Sequence, residues 1–415
     1  MRILVANWSL SLAGGVEAYL DRVLPALARR GHELAFLCDS HTPGSDKKVR
    51  LPASAPCWRI SSPGSTAELS ATVEWRPDVA WVHLLSDPAT EAALLDVVPA
   101  VRFAHAYQGT CVSTHKTRLF PWTSPCSRRM GAACLLHYFP RRCGGLSPIT
   151  MMRLYREQRQ RLALARAYGA TMTLSEHMRV ELVRHGIPAE RLHRLPWPLL
   201  DREGAPAPER RSAAARDKSA TAAWRLLFLG RMDRLKGGDV LLDALPLVRR
   251  ALGRPLSVTF AGDGIERRRW EAKAARLASG DHFLSFRFVG RVTRDERSGL
   301  FADHDVLVVP SVWPEPFGLV GLEAAAHGLP SVAFAAGGIP EWLGDGISGR
   351  LAAADPPTAE GLASALVSAL ESPAALSSLS RGALAAAARI SPDAHLDAVV
   401  SVLQSASASG NARKR

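Results

Sequence analysis

The sequence predicts an α/β protein made of two Rossmann-like, doubly wound domains, and three observations carry that prediction. A chain of 415 residues exceeds what one ordinary core accommodates. Apolar strand-like runs alternate with amphipathic helical stretches, twice over. The alternation breaks once, at residues 201–223, where Ala, Pro and charge follow one another without periodicity, as in a linker. Hydrophobic residues at 47% and charged residues at 22% are those of a globular chain. No uncharged apolar run of about eighteen residues appears.

"RILVAN" reads as a strand, Gly14 and Gly15 as a turn, and the residues that follow as a helix with Val16, Tyr19, Leu20, Val23 and Leu27 at helical spacing. After a break at Gly31, "ELAFLCD" completes a β-α-β unit. Further strands are predicted over 78–85, 101–107 and 170–175, with a helix over 151–168, which gives a first domain of residues 1–200. The alternation restarts with strands over 224–230, 256–262, 285–290, 305–311 and 330–336, giving a second domain of residues 224–390. A last helix is expected over 391–406, with return to the first domain as one option, and residues 407–415 are expected to be disordered. The first residues alternate apolar with polar and do not form a cleavable leader, so a cytoplasmic location is expected, with the inner membrane face as a peripheral alternative.

The formal charge of +13 would ordinarily suggest an anionic partner. Of the 52 basic residues only seven are lysine, and the chain is rich in Ala, so a compositional arginine bias accounts for much of the excess. Nucleic acid is not expected as a partner. Residues 153–169 form a strongly basic helix with Leu154, Leu162 and Leu164, which either meets an anionic membrane or is simply solvated.

Open α/β sheets bind ligands where strands end, so chemistry is sought at strand-to-helix turns, here facing across a cleft between the two domains. Gly15 opens the first helix and could hold a phosphate on its amides, or serve only a tight turn. "GRMDRLKGGD" follows a strand and offers Arg231 and Lys236, which can converge on a polyphosphate or form an ordinary basic loop. "PSVWPEPFGLVGLEAAAHGLP" places Glu315 in a loop and Glu323 about two turns into a helix, with the amides of Phe317, Gly318, Leu319 and Val320 at the helix start. Two carboxylates in so apolar a stretch suit sugar and ribose hydroxyls better than an idle solvated face.

These residues carry a family resemblance. "EPFGLVGLE", with "GR", "KGG", "AGDG" at 261–264 and "AAGGIPEWLGDGISG" at 335–349, resembles the family 4 retaining glycosyltransferases of the GT-B fold, across essentially the whole second domain. In the first domain the likeness rests on "GGVEAYL" and general order. The resemblance implies transfer of a sugar from a nucleoside-diphosphate sugar to an acceptor (a glycan, a lipid-linked saccharide or a small molecule), usually without a metal ion or other cofactor. It implies that Glu315 contacts the sugar, Glu323 the ribose, Arg231 and Lys236 the diphosphate, and Gly15 a phosphate. Backbone near Val292 is implied in donor choice, and His105, at a strand end, in a hydrogen bond to the donor sugar. His115 and Lys116 follow in the same loop as weaker acceptor candidates. The sequence is read as holding no Asp-x-Asp triplet, so no metal-holding motif is expected.

Cys111, Cys126, Cys134 and Cys143 fall within 33 residues and contain no C-x-x-C pair. A structural metal, redox-linked thiols and reduced thiols packing a loop-rich subdomain all fit that spacing. A cysteine-rich subset of the family shows a similar run, here His105, Cys111, Lys116, Cys126, Cys134 and Cys143. The chain departs from the family at 195–201, "LPWPLLD", where many relatives have Asn-Gly-Val-Asp. The competing functions are a nucleotide-sugar epimerase or glycogen-synthase-like polymerase on the same fold, and a non-catalytic nucleotide-sugar-binding protein. A nicotinamide-dependent dehydrogenase is disfavoured by the incomplete glycine fingerprint.

Overall fold

The computed structural model describes residues 1–12, 14–39, 48–52, 54–60, 66–196 and 222–414. Two units emerge: Met1–Thr114 with Arg128–Glu203 and Ser391–Arg415, and His115–Ser127 with Gly204–Ile390. Most of the short apolar runs become strands buried on both faces, which is why they read as continuous hydrophobic stretches rather than alternating ones; Leu284–Gly290 is the exception, partly exposed beyond Leu284.

The first unit holds β1 (Arg2–Asn7), β2 (Glu33–Asp39), β3 (Cys57–Ile60), β4 (Val79–Leu84) and β5 (Ala100–Phe103). After the two-stranded hairpin β6 (Thr117–Arg118) and β7 (Ser124–Pro125), which belongs to the second unit, come β8 (Ala170–Thr173) and β9 (Leu192–Arg194). The sheet order is β3-β2-β1-β4-β5-β8-β9, all parallel. Helix Gly15–Arg29 buries Tyr19, Leu20, Val23 and Leu27 of the predicted stripe together with Leu24, while Val16 is only half-buried.

The second unit adds β10 (Trp224–Leu229), β11 (Leu256–Ala261), β12 (Leu284–Gly290), β13 (Val306–Val309), β14 (Ser331–Phe334) and β15 (Gly349–Ala352), in the order β12-β11-β10-β13-β14-β15. Its core gathers Leu241, Leu242, Leu245 and Val248 of helix Gly238–Leu252 with Phe228, Phe260 and a fully buried Trp270. Parallel order reverses between β1 and β4 in one sheet and between β10 and β13 in the other, which fixes where each unit opens a crevice at its strand ends.

Several expectations are corrected. The strand expected over 305–311 stops at Val309, because Pro310 has no N–H for the ladder. The strand over 101–107 stops at Phe103. Strands β3, β9 and β15 were not anticipated; β9 has three residues, too few to show a period. The hairpin within 115–127 groups with the second unit, although its sequence position put it in the first. The final helix spans Pro392–Lys414, past the expected end at 406, since the Ser and Ala of the expected disordered tail are compatible with helix and no proline interrupts them. It groups with the first unit. Of the expected linker, residues 201–221 lie outside the described residues.

Candidate active site

In the second unit the crossover between β10 and β13 brings two loops together, and both carry candidate residues. After β10, Asp233 caps a short helical turn by accepting from the amides of Leu235 (3.0 Å) and Lys236 (3.1 Å). Gly237 follows at φ +71°, and a Cβ there would lie 1.7 Å from the carbonyl oxygen of Pro310, so only glycine lets this turn lie against the loop after β13. The Val312 amide donates to the Leu235 carbonyl at 2.9 Å and stitches the two loops together.

Across that seam Lys236 Nζ meets Glu315 Oε1 at 2.6 Å, and Ser311 Oγ donates to the same oxygen at 2.5 Å. Glu315 is 6% exposed, and its backbone is anchored by the Gly338 amide, which donates to the Glu315 carbonyl at 2.7 Å. Lys236 Nζ also lies 5.5 Å from the centroid of the Trp313 ring. Both side-chain bonds fall on Oε1, which leaves Oε2 as an acceptor. Lysine has three N–H donors, and one pairing leaves others for an anion. The loop therefore presents a cation and a carboxylate acceptor side by side, held by a rigid backbone.

Arg231, the other predicted cation, is mostly exposed and its Nε donates to Asp233 Oδ2 at 2.5 Å. It lies in the same loop but does not join the Lys236–Glu315 pair. Helix Leu319–Ala326 starts after Gly318 at φ +91°, and no side chain caps it. The amides of Gly318, Leu319 and Val320 are thus uncapped helix-start donors. Phe317 is buried, and its carbonyl accepts from Trp342 Nε1 at 2.6 Å, which pins the turn. Glu323 is the fifth residue of this helix, one turn in rather than two, because the helix starts only at Leu319. Its Oε2 accepts from Arg297 Nη1 at 2.6 Å. Val292 lies between the end of β12 and Thr293, which caps helix Arg294–Asp303 in a capping box with Glu296.

In the first unit Gly15 begins its helix with Gly14 as an N-cap that offers no side chain. His105 lies two residues beyond β5, stacked on His83 (ring centroids 5.0 Å apart), and His83 Nδ1 meets His105 Nε2 at 2.7 Å. His83 Nε2 is buried with no hydrogen-bond partner among the described residues. An orphaned N–H is rarer and costlier than an orphaned lone pair, so the proton belongs on His83 Nδ1, and His105 carries its own on Nδ1 as a donor. His395 of the last helix meets the Tyr19 hydroxyl at 2.8 Å and the Pro196 carbonyl at 2.6 Å.

Burial, with Arg102 adding to it, pushes His105 down to about 3, and burial pushes His395 down to about 4. Both are neutral when folded, while unfolded imidazoles titrate near 6.5, so the unfolded chain binds more protons below that pH. Stability is therefore expected to hold above about pH 7 and to fall by about 2 kcal/mol per buried histidine on going to pH 5. Urea denaturation at the two pH values measures it; an unchanged midpoint would contradict these environments.

Among the described residues no group of three or more His, Cys, Asp or Glu side chains is disposed to hold a metal ion. Of the candidate ligands, Cys111 Sγ lies 3.5 Å from Ser113 Oγ, Cys134 Sγ 4.0 Å from the Arg129 carbonyl and Cys143 Sγ 3.9 Å from the His137 carbonyl. Cys134 and Cys143 pack against Val112, Met130, Tyr138, Met151 and Leu162, and Cys126 belongs to the other unit. Thiols packing a loop-rich subdomain fit this arrangement. One Asp-x-Asp triplet does occur, Asp303-His304-Asp305, at the end of β13 opposite the Glu315 loop. Asp305 Oδ2 accepts from the Arg225 amide at 2.8 Å, and His304 is buried against Thr259 Oγ1 at 2.8 Å, which are strand-start contacts. His115, a weaker candidate, falls in the second unit with Lys116, and burial lowers its pKa despite Asp233 nearby.

Sequence reasoning missed Asp233, Ser311, Arg297 and His83. Asp233 was findable as an Asp two residues ahead of a turn's amides; Ser311 and His83 owe their roles to the partners they meet, Glu315 with Lys236 and His105, which no local pattern marks.

The chain matches the family described as Glycosyltransferase Family 4 over residues 13–198 and that described as Glycosyl transferases group 1 over residues 223–372. It is 30% identical over 405 residues to a glycogen synthase of Mycobacterium tuberculosis, covering 89% of this chain and 86% of that protein. A D-inositol 3-phosphate glycosyltransferase of Streptomyces coelicolor is 34% identical over 189 residues, 44% of this chain and 40% of that one. Among solved structures, sucrose-phosphate synthase from Thermosynechococcus elongatus superposes with a TM-score of 0.71 at 19% identity, over 98% of this chain and 99% of that one. Anabaena HepE in complex with UDP and glucose gives 0.67 at 17% identity, over 98% and 100%. With the motifs, the two parallel sheets and these likenesses in agreement, the chain belongs to the family 4 glycosyltransferases and has their GT-B fold.

Proposed function

We propose that the enzyme transfers a sugar from a nucleoside-diphosphate sugar to an acceptor hydroxyl with retention of configuration and without a metal ion. The observation that carries this reading is the convergence of Lys236, Glu315 and Ser311 where β10 and β13 part. As the glycosidic bond to the diphosphate breaks, negative charge grows on the leaving oxygen. Lys236, Arg231 and the amides of Gly318, Leu319 and Val320 are fixed donors for that charge, the role a divalent ion would otherwise fill. Attack on the face the diphosphate leaves lets the leaving oxygen take the acceptor's proton, and the new glycosidic bond forms to the acceptor oxygen. Glu315 Oε2 accepts from a sugar hydroxyl, and Glu323, held by Arg297, accepts from the ribose. The roles implied for His105, Gly15 and Val292 rest on the family resemblance.

A thermal-shift panel of nucleoside diphosphates and nucleotide sugars tests the reading. A true ligand at a hundred times its dissociation constant stabilises the fold by about 2.7 kcal/mol, and no shift with any nucleotide would refute it. Transfer is expected to persist after dialysis against chelator, and the product's anomeric coupling in NMR reports the stereochemistry. Glu323→Gln is expected to weaken nucleoside-diphosphate binding about tenfold in calorimetry, the loss of one charge-assisted hydrogen bond, with ribose and 2′,3′-dideoxyribose forms then binding more alike.

A further inference from the structure

Residues 97–156 form a stretch of sixty residues with nine Lys and Arg and not one Asp or Glu. Most of it lies in the first unit, and there it exposes large aliphatic side chains: Leu136 (77%), Leu146 (83%) and Ile149 (83%). The sequence had drawn attention to Leu154, Leu162 and Leu164, but Leu162 is buried and Leu154 packs on the cluster beneath it, so the exposed apolar edge is the segment just ahead of them. Helix Pro148–Ala167 carries Ile149, Met152, Arg153 and Arg156 at helical spacing along one groove of about 860 Å³. Arg142, Arg153 and Arg156 are all exposed. The groove's two carboxylates are already engaged: Asp87 caps its helix through the Ala89 and Thr90 amides, and Glu157 accepts from Arg161 Nε at 2.9 Å.

We propose that this face docks on an anionic phospholipid bilayer, with Leu146 and Ile149 entering the headgroup region and Arg142, Arg153 and Arg156 on lipid phosphates. Exposed aliphatic tips beside Arg142, Arg153 and Arg156, with Glu157 countered by Arg161 and Asp87 held on helix-start amides, have the chemistry of an interfacial anchor. A nucleic acid would favour exposed aromatic rings for base stacking, and in the first unit these tips are aliphatic; the exposed Phe120 and Trp122 of the same stretch belong to the second unit. The inference concerns a surface remote in sequence from Lys236 and Glu315 and does not depend on the donor reading.

The full chain is sedimented with phosphatidylcholine vesicles, with and without phosphatidylglycerol, at low and high salt. Binding is expected only with phosphatidylglycerol and is expected to weaken as salt screens the arginines. Leu146→Ser with Ile149→Ser is expected to lower partitioning at least about tenfold, and Arg153→Glu with Arg156→Glu at least as much while flattening the salt dependence, since each basic residue near such a surface contributes about fivefold. All four sites are exposed, so melting temperature and nucleotide binding should be retained in both variants. No binding to anionic vesicles, equal binding to neutral ones, binding that both variants preserve, or binding to RNA duplexes but not vesicles would each overturn the proposal.

Discussion

The Lys236→Ala enzyme is expected to turn over at least about 100-fold more slowly with saturating donor, as measured by initial rates of sugar transfer. The reasoning is electrostatic: one preorganised donor aimed at developing charge is worth about 10²–10³ in kcat. The same substitution strands a carboxylate. Glu315 is 6% exposed and loses its ion partner, and an unpaired buried charge costs about 3–5 kcal/mol. Adding Glu315→Gln to Lys236→Ala is therefore expected to recover melting temperature without recovering turnover. Recovered melting temperature in the double variant would assign the lost stability to the stranded carboxylate, while turnover of the single Lys236→Ala variant, measured well below its own melting temperature, reports the cation's role in the chemistry. Near-normal turnover in the single variant would remove Lys236 from the proposed chemistry.

The second large effect is steric. Gly237→Ala places a methyl 1.7 Å from the Pro310 carbonyl at φ +71°, and both loops of the site meet at that point. Destabilisation above about 3 kcal/mol is expected, together with loss of transfer, because the turn cannot relax without moving Pro310 and Glu315 apart. Gly253, at the other end of the same helix, has φ +64° and nothing within 4 Å of a Cβ. Gly253→Ala carries the backbone strain alone, so it is expected to cost about 1–2 kcal/mol and leave activity intact. Denaturant midpoints of the two variants, compared side by side, separate close approach from left-handed strain. Equal effects would mean that the Gly237–Pro310 contact does not hold the site.

Residues whose role is local were legible in the sequence. Gly15 at a helix start, the Val16–Leu27 stripe and the prolines around Glu315 announce themselves through periodicity and turn chemistry. Residues whose role depends on a distant partner were not. Ser311 matters because it shares Glu315 Oε1 with Lys236, which is 75 positions away in the chain. Arg297 holds Glu323 from a different helix, and no spacing rule connects the two. His83 acquires meaning only when β4 and β5 lie side by side and bring it to His105. The cysteines are the converse case: their crowding in sequence left a metal, redox-linked thiols and packed thiols all open, and the fold puts Cys126 in a different unit from the other three.

The amino-acid sequence by itself determined two doubly wound domains, the family, and the motif that carries the two glutamates, because buried strands, helix stripes and glycine turns are written in short-range patterns. Only the tertiary structure decided that Lys236 closes on Glu315 while Arg231 turns to Asp233, that the last helix packs with the first unit, and that Leu146 and Ile149 rather than Leu162 face solvent. Those outcomes depend on which loops the parallel strand order makes neighbours and on which apolar side chains a fold of finite surface leaves uncovered. Neither quantity has a local signature in the chain.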